Sequence, residues 1–378
     1  MEKVRTTEVL PPDLEKRFKE VLHEHVERFN MPDDAYKKSR FSLKIELVDH
    51  DKIPNARPYR LSEEDSKQLA AALEKYLAKG WIEPSMSPYG SSILFAKKKG
   101  TDVKRFCVDF RKINALTKKQ EWPMPRAEDL FDKIAGCPVL STLDLSEAFH
   151  QMGVEESSKD YTTFVTDRRR YRFNVAPFGL RSTPHLMQQL SSTALRECAS
   201  FACVYIDDIL IFSKTREEHL RHLKIVLEKM REFNLYIKLA KSVFFAHSVQ
   251  YLGHNISSSG IRTCSDLTDK VADWPTPKNA KEVERFLGLA NYYSRFVYRY
   301  ANIAAPLNEL TKSTVEWKWG EAENEAFTAL KTALCSDPVL KPFDPALDTL
   351  IETDASQTNL AVGAVLVQRH KDGLHPVA

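Results

Sequence analysis

Apolar residues set the first expectations. Over residues 12–30, Leu14, Phe18, Val21, Leu22, Val26 and Phe29 recur at helical spacing and predict one amphipathic helix. Residues 40–61 read as extended, with Phe41, Leu43, Ile45 and Leu47 alternating. Ser62, with Asp65 three residues on, opens a helix whose stripe is Leu69, Leu73, Tyr76 and Leu77 and whose end is Gly80. Segments 91–98 and 104–110 predict a hairpin turning around Lys99–Asp102. Further strands fit 138–144, 161–167 and 171–175, a helix fits 183–195, and two apolar runs, 201–206 and 209–212, flank Asp207-Asp208. Thr215 with Glu218, and Asn279 with Glu282, are capping pairs at the starts of two more helices. Ala326, Phe327, Leu330 and Leu334 mark a third, after which residues 349–354 and 360–368 return to β. Strands and helices without regular βαβ alternation predict an α+β fold.

Length refines this only slightly, because 378 residues fit two or three domains. A composition of 43% hydrophobic and 28% charged residues is that of an ordinary globular chain. No apolar run approaches the length of a membrane span, and the N-terminus lacks a secretory apolar core. The scattered cysteines 107, 137, 198, 203, 264 and 335 contain no CxxC pair and read as thiols of a reducing compartment. Charge is more informative once it is located. The net +3 conceals a segment, 96–126, with ten basic and three acidic side chains, and a second cluster at Arg168, Arg169, Arg170 and Arg172. Such local positive fields fit a polyanionic partner, and they also fit a solvated basic surface.

Candidate chemistry concentrates in the acids. Asp207 and Asp208 sit between two β-branched runs, where a turn tolerates Asp for its local hydrogen bonds but normally favours a glycine that is missing here. Adjacent carboxylates repel, and hard divalent cations such as Mg²⁺ or Mn²⁺ relieve the repulsion. Asp144 ends an apolar strand and fits a helix N-cap or a metal ligand. Together with Asp207 it supplies the carboxylates required by two-metal phosphoryl transfer, in which the ions sit about 3.5–4 Å apart. His219 and His222, three apart on a predicted helix and lacking nearby partners, read as surface residues.

The motifs then fall into a familiar order: Gly80-Trp-Ile-Glu-Pro-Ser85; Arg105-Phe-Cys-Val-Asp-Phe-Arg111 with Asn114; Leu143-Asp-Leu-Ser-Glu-Ala-Phe-His-Gln151; Pro177-Phe-Gly-Leu180; Tyr205-Ile-Asp-Asp208; Tyr251-Leu-Gly253; Phe286-Leu-Gly-Leu289 with Tyr292-Tyr293; Thr353-Asp-Ala-Ser356. Over roughly 40–378 the chain resembles the reverse transcriptase region of a gypsy-type LTR retrotransposon polyprotein. The resemblance implies a right-hand polymerase fold. Its divisions would be an N-terminal helix or linker (1–40), fingers and palm (41–214), thumb with primer-grip hairpin (215–275), connection (276–340) and an incomplete ribonuclease H-like domain (341–378). It implies an RNA-directed DNA polymerase acting on an RNA or DNA template with primer and on deoxynucleoside triphosphates. Asp144, Asp207, Asp208 and the Leu145 carbonyl would hold two Mg²⁺ ions, with Mn²⁺ as a substitute. Lys98, within the run Lys97–Lys99, and Arg105 would bind the triphosphate. Phe149 would exclude a 2′-hydroxyl, although an aromatic there also fits a plain core residue, and Phe178 would pack near the incoming nucleotide. Tyr251, Leu252 and Gly253 would position the primer.

The sequence departs from the family pattern in places. Ala176 stands where Met usually precedes the Pro-Phe-Gly-Leu block, Lys241 is followed by Ser242 rather than Cys, and Tyr161 replaces a lysine. Asp354 resembles the first ribonuclease H carboxylate, but the only acid after it is Asp372, so ribonuclease H activity is expected to be absent from this chain. Three functions follow: an active polymerase, a catalytically decayed nucleic-acid-binding fragment, and a structural subunit of a longer polymerase.

Overall fold

The structure is a computed structural model. It describes residues 5–377 apart from 8, 50–51, 53, 98–103, 120–121, 135, 259, 298, 337–338, 341–342, 344–345, 357–360 and 371–372. Of Lys97, Arg105 and Asp354 only the backbone is described. The chain divides into two compact units, Met1–Pro125 with Ser141–Phe245, and Arg126–Leu140 with Ala246–Ala378. No described helix is long and apolar enough to cross a membrane. The described structure is mixed α+β, as the pattern predicts.

The first unit is built on a five-stranded sheet. Its order is Arg5–Thr6, Val243–Ala246, Val139–Asp144, Asp208–Ser213, Ala202–Tyr205. The two strands around Asp207 pair antiparallel, with Tyr205 opposite Asp208. Ile209, Leu210 and Ile211 are fully buried, which explains why that run reads as continuously apolar rather than alternating. Helix Arg216–Glu232 packs on the strand Asp208–Ser213 and buries Leu220, Leu223, Val226, Leu227 and Met230. Each such side chain contributes about 1.5–3 kcal/mol. Thr215 caps this helix by accepting from the Glu218 amide, and Ser62 does the same for Asp65 at helix Glu63–Ala78. A smaller sheet of Ile82–Pro84, Arg170–Phe173 and Phe164–Val165 packs Phe164 and Phe173 together, and Trp81 is buried beside Tyr76. Strands Ile93–Lys97 and Lys104–Val108 form the expected hairpin, while its turn lies outside the described residues.

The second unit holds a four-stranded sheet of Ser248–Tyr251, His254–Ser257, Gly260–Thr263 and Val339–Leu340. Its helices are Ser265–Ala272, Ala280–Tyr292, Tyr300–Glu309 and Glu321–Cys335. Phe286 and Phe327 meet between two of them at 4.7 Å. Strands Thr349–Ser356, Ala361–His370 and Gly373–Pro376 form a separate antiparallel sheet.

Three expectations need correction. The helix predicted over 12–30 stops at Glu24, and Val26–Phe29 continues as a 3₁₀ turn. The cause is His25: its ring Nδ1 bonds the Val21 carbonyl at 2.9 Å, and its own amide is diverted to Leu22. The strand predicted over 161–167 shrinks to Phe164–Val165, because Asp160–Thr162 form a turn in which the Thr162 hydroxyl donates to the Lys159 carbonyl. His219 is not on the surface. It is fully buried, bonded to Ser141 Oγ at 2.6 Å and Ser213 Oγ at 2.8 Å. Burial drives its pKa down to about 3, so it is a neutral strut between two strands and their helix. Its phase with Leu223, Val226 and Met230 on one helical stripe was the available signal.

Candidate active site

Asp144 closes the strand Val139–Asp144, anchored by buried Leu140 and Leu143. The neighbouring strand begins at Asp208. The acids at 144 and 207–208 are therefore carried on adjacent strands of one sheet although they are far apart in sequence. The connection before Asp208 is tight, and Ile206 adopts φ +57°. For a β-branched residue this is a conformational outlier. It is held from below by helix Ser182–Ala194: the Ile206 amide donates to Gln188 Oε1 at 2.6 Å, and the Ser191 hydroxyl donates to the Ile206 carbonyl at 2.9 Å. Both helix residues are buried. Sequence reasoning missed Gln188 and Ser191. The missing glycine was the only hint that the turn needs outside support.

Asp207 and Asp208 both sense the Asp144 charge. Burial pushes the Asp207 carboxyl up, and the Asp144 charge pushes it further. Asp208 rises to about 6, first from the protein packed around it and then from Asp207 and Asp144, although one side of it stays open to solvent. Lys241 opposes both shifts, and its Nζ lies 3.0 Å from Asp144 Oδ2. Three acids thus face one lysine, an excess of negative charge on hard oxygen donors. That donor chemistry fits Mg²⁺ or Mn²⁺. Among the described residues, however, no three His, Cys, Asp or Glu side chains are already gathered as an ion's ligands.

The segment after Asp144 forms the rest of the site. Glu147 takes φ +47° and leads into the 3₁₀ turn Ala148–Gln151. The His150 ring, 3.7 Å from Glu147 Oε2, pulls that exposed carboxyl down to about 2. Gln151 fixes the segment by donating to the Ser146 and Tyr236 carbonyls and accepting from the Tyr236 amide. Phe149 and Phe178 meet with ring centroids 4.9 Å apart, and Phe178 is largely exposed. The loop bearing Phe178 is pinned by Asn114, whose Nδ2 donates to the Gly179 carbonyl at 2.8 Å while its Oδ1 accepts from the Arg181 amide at 2.8 Å. Gly179 itself sits at φ +94°, where a side chain would strain the loop.

Of the remaining site residues, Lys98 lies outside the described residues. Arg105 is placed by its backbone alone, on the strand Lys104–Val108. Tyr251, Leu252 and Gly253 belong to the second unit, at the turn between strands Ser248–Tyr251 and His254–Ser257. Asp354 lies on the strand Thr349–Ser356.

Comparison with known proteins agrees with this architecture. The family model described as reverse transcriptase (RNA-dependent DNA polymerase) matches residues 96–256. A second, described as the RNase H-like domain found in reverse transcriptase, matches 319–378. The Transposon Tf2-3 polyprotein of Schizosaccharomyces pombe is 35% identical over 364 residues, which are 96% of this chain and 27% of that protein. The Tf2-7 polyprotein of the same yeast is 34% identical over the same length. The chain therefore spans about a quarter of the curated relatives it matches. Among solved structures, a foamy viral protease–reverse transcriptase in complex with double-stranded DNA aligns with TM-score 0.82 at 20% identity, over 100% of this chain and 65% of that one. The same viral protein in complex with an RNA/DNA hybrid aligns with TM-score 0.78 at 21% identity, over 100% of this chain and 50% of that one. The likeness to these structures speaks for the fold. Residues 96–256 belong to the reverse transcriptase family, and residues 319–378 match its RNase H-like domain. Within that family the chain is homologous to the gypsy-type Tf2 retrotransposon polyproteins, over their reverse transcriptase region alone.

Proposed function

We propose that this chain is an RNA-directed DNA polymerase that extends a primer on an RNA or DNA template, using deoxynucleoside triphosphates. The observation that carries the reading is the coupling of Asp144, Asp207 and Asp208 on adjacent strands, with Lys241 as their counter-charge. Asp144, Asp207, Asp208 and the Leu145 carbonyl are the groups that would hold two Mg²⁺ or Mn²⁺ ions. Bound there, such ions supply Lewis-acid activation of the primer 3′-hydroxyl and charge neutralisation at the triphosphate. The protein's own share is positioning. Gln188 and Ser191 keep the acid-bearing turn in place, and Phe149 against Phe178 would form the wall that excludes a 2′-hydroxyl. Lys98 and Arg105 would bind the triphosphate, and Tyr251–Gly253 the primer strand. That foamy viral relatives are solved on duplex DNA and on an RNA/DNA hybrid supports a duplex partner here. Residues 41–214, 215–275 and 276–340 would then serve as fingers with palm, thumb and connection. The test is primer extension on an RNA template. The parent extends with Mg²⁺, while Asp207→Asn binds the duplex and does not extend; equal extension by both would end the assignment.

A second reading, a nucleic-acid-binding fragment without catalysis, draws on the absence of a pre-gathered ligand group among the described residues. It predicts salt-sensitive duplex binding without incorporation at any Mg²⁺ or Mn²⁺ concentration.

A further inference from the structure

The Tyr292-Tyr293 pair stands out in the sequence but has no part in the chemistry above. In the structure it closes onto another motif. Strands Ser248–Tyr251 and His254–Ser257 are joined by just Leu252 and Gly253, with Tyr251 opposite His254. Both turn residues are left-handed, at φ +47° and +74°. Such two-residue turns favour Asn-Gly, because the first position also needs positive φ. Leucine there is strained, because its Cβ crowds the backbone at positive φ. Strain of this kind persists only where the surroundings over-determine it.

Here they do. Tyr292, at the end of helix Ala280–Tyr292, donates its hydroxyl to the Leu252 carbonyl at 2.7 Å. Tyr293, the next residue, donates to the Gly253 carbonyl at 2.9 Å. The His254 ring adds a contact from Nδ1 to the Leu252 carbonyl at 2.9 Å and lies 5.3 and 5.0 Å from the two tyrosine rings. A Cβ on Gly253 would come within 2.9 Å of the Tyr293 hydroxyl, so the closeness of the clamp itself requires glycine. Burial holds the Tyr293 phenol up at about 12, so it stays a donor at working pH. Both carbonyls are thus occupied, while the two central amides make no ladder bonds in a two-residue turn. Backbone amides read a phosphodiester without reading sequence.

We propose that Tyr292 and Tyr293 are positioning residues for the primer strand, acting through the Leu252–Gly253 turn that they lock. This rests on the polymerase reading, and the test separates the two. The full chain is compared with Tyr292→Phe/Tyr293→Phe and with a control, Tyr300→Phe, which removes a buried hydroxyl that has no hydrogen-bond partner among the described residues. Amide hydrogen exchange over residues 248–257 and affinity for an annealed primer–template duplex are measured in all three. Single-nucleotide incorporation at saturating duplex is measured alongside. In the double variant, exchange should quicken and duplex Kd should rise roughly tenfold. The kcat and the nucleotide KM should hold, and Tyr300→Phe should change none of these. Unchanged exchange in the double variant overturns the clamp. Faster exchange with unchanged duplex affinity, or an equal effect in Tyr300→Phe, overturns its role in primer positioning. A parent that binds duplex but never extends defeats the polymerase reading, and the exchange and affinity measurements still decide the clamp.

Discussion

Replacing Gln188 with alanine isolates the contribution of the support beneath the acid turn. The substitution takes away the acceptor of the Ile206 amide, a contact of 2.6 Å at a residue only 1% exposed. Leaving a buried amide unsatisfied costs about 1–3 kcal/mol. Ile206 at φ +57° holds a further ~1–2 kcal/mol of strain that the turn is then free to release. We expect a loss of about 2 kcal/mol, read as a fall in Tm of about 4–8 °C for a unit of this size. Catalysis should suffer more than stability, because displacing a reacting group by about 1 Å costs about 100-fold. A double-mutant cycle with Ile206→Gly sharpens the test. Glycine adopts positive φ without strain, so none is released there and Gln188→Ala should cost about 1 kcal/mol more in that background. Urea unfolding and single-nucleotide incorporation are the assays. Parent-like stability and rate in Gln188→Ala, or strict additivity with Ile206→Gly, would refute the reasoning.

Other consequences follow from the same geometry. Because the folded pKa of Asp208 is raised to about 6, above its value in an unfolded chain, its ionisation opposes folding; stability should fall as pH rises from about 4 to about 6, and Asp208→Asn should raise Tm at pH 7 but not at pH 4. His219 acts in the opposite sense: its folded pKa near 3 means that stability is lost as pH drops from about 6.5 towards 3, and His219→Gln should flatten that limb of a Tm-against-pH profile. His219→Ala takes one hydrogen-bond partner from each of Ser141 and Ser213 and opens a cavity, so it should cost about 2–4 kcal/mol in urea unfolding. Phe149→Val should lower discrimination against ribonucleotides about tenfold in competitive incorporation, while unchanged discrimination would make Phe149 a packing residue only.

What the sequence made legible is local. The caps at Ser62, Thr215 and Asn279 form as read, because each closes over three residues. The apolar runs around Asp207-Asp208 are strands, because β-branched residues buried on both faces have few alternatives. Family and fold class were readable from motif order, since eight blocks in sequence constrain a topology more than any one block does. The unread features depend on residues distant along the chain. Gln188 supports Ile206 from 18 positions away, and His219 bonds Ser141 across 78. Leu252 and Ile206 adopt backbone angles against their own preference, so no propensity argument reaches them; only the hydroxyls, amides and side-chain oxygens packed around them account for the conformation. His25 shows the same limit in reverse, a helical pattern broken by one imidazole that takes a carbonyl from its own helix.

The most direct test of the central claim is to count divalent ions by Mn²⁺ electron paramagnetic resonance. The sample is the full chain with a chain-terminated primer–template and the next complementary nucleotide. The account predicts two tightly held ions in the parent, and at most one in Asp207→Asn with duplex affinity retained. Equal Mn²⁺ occupancy in the two proteins would contradict it.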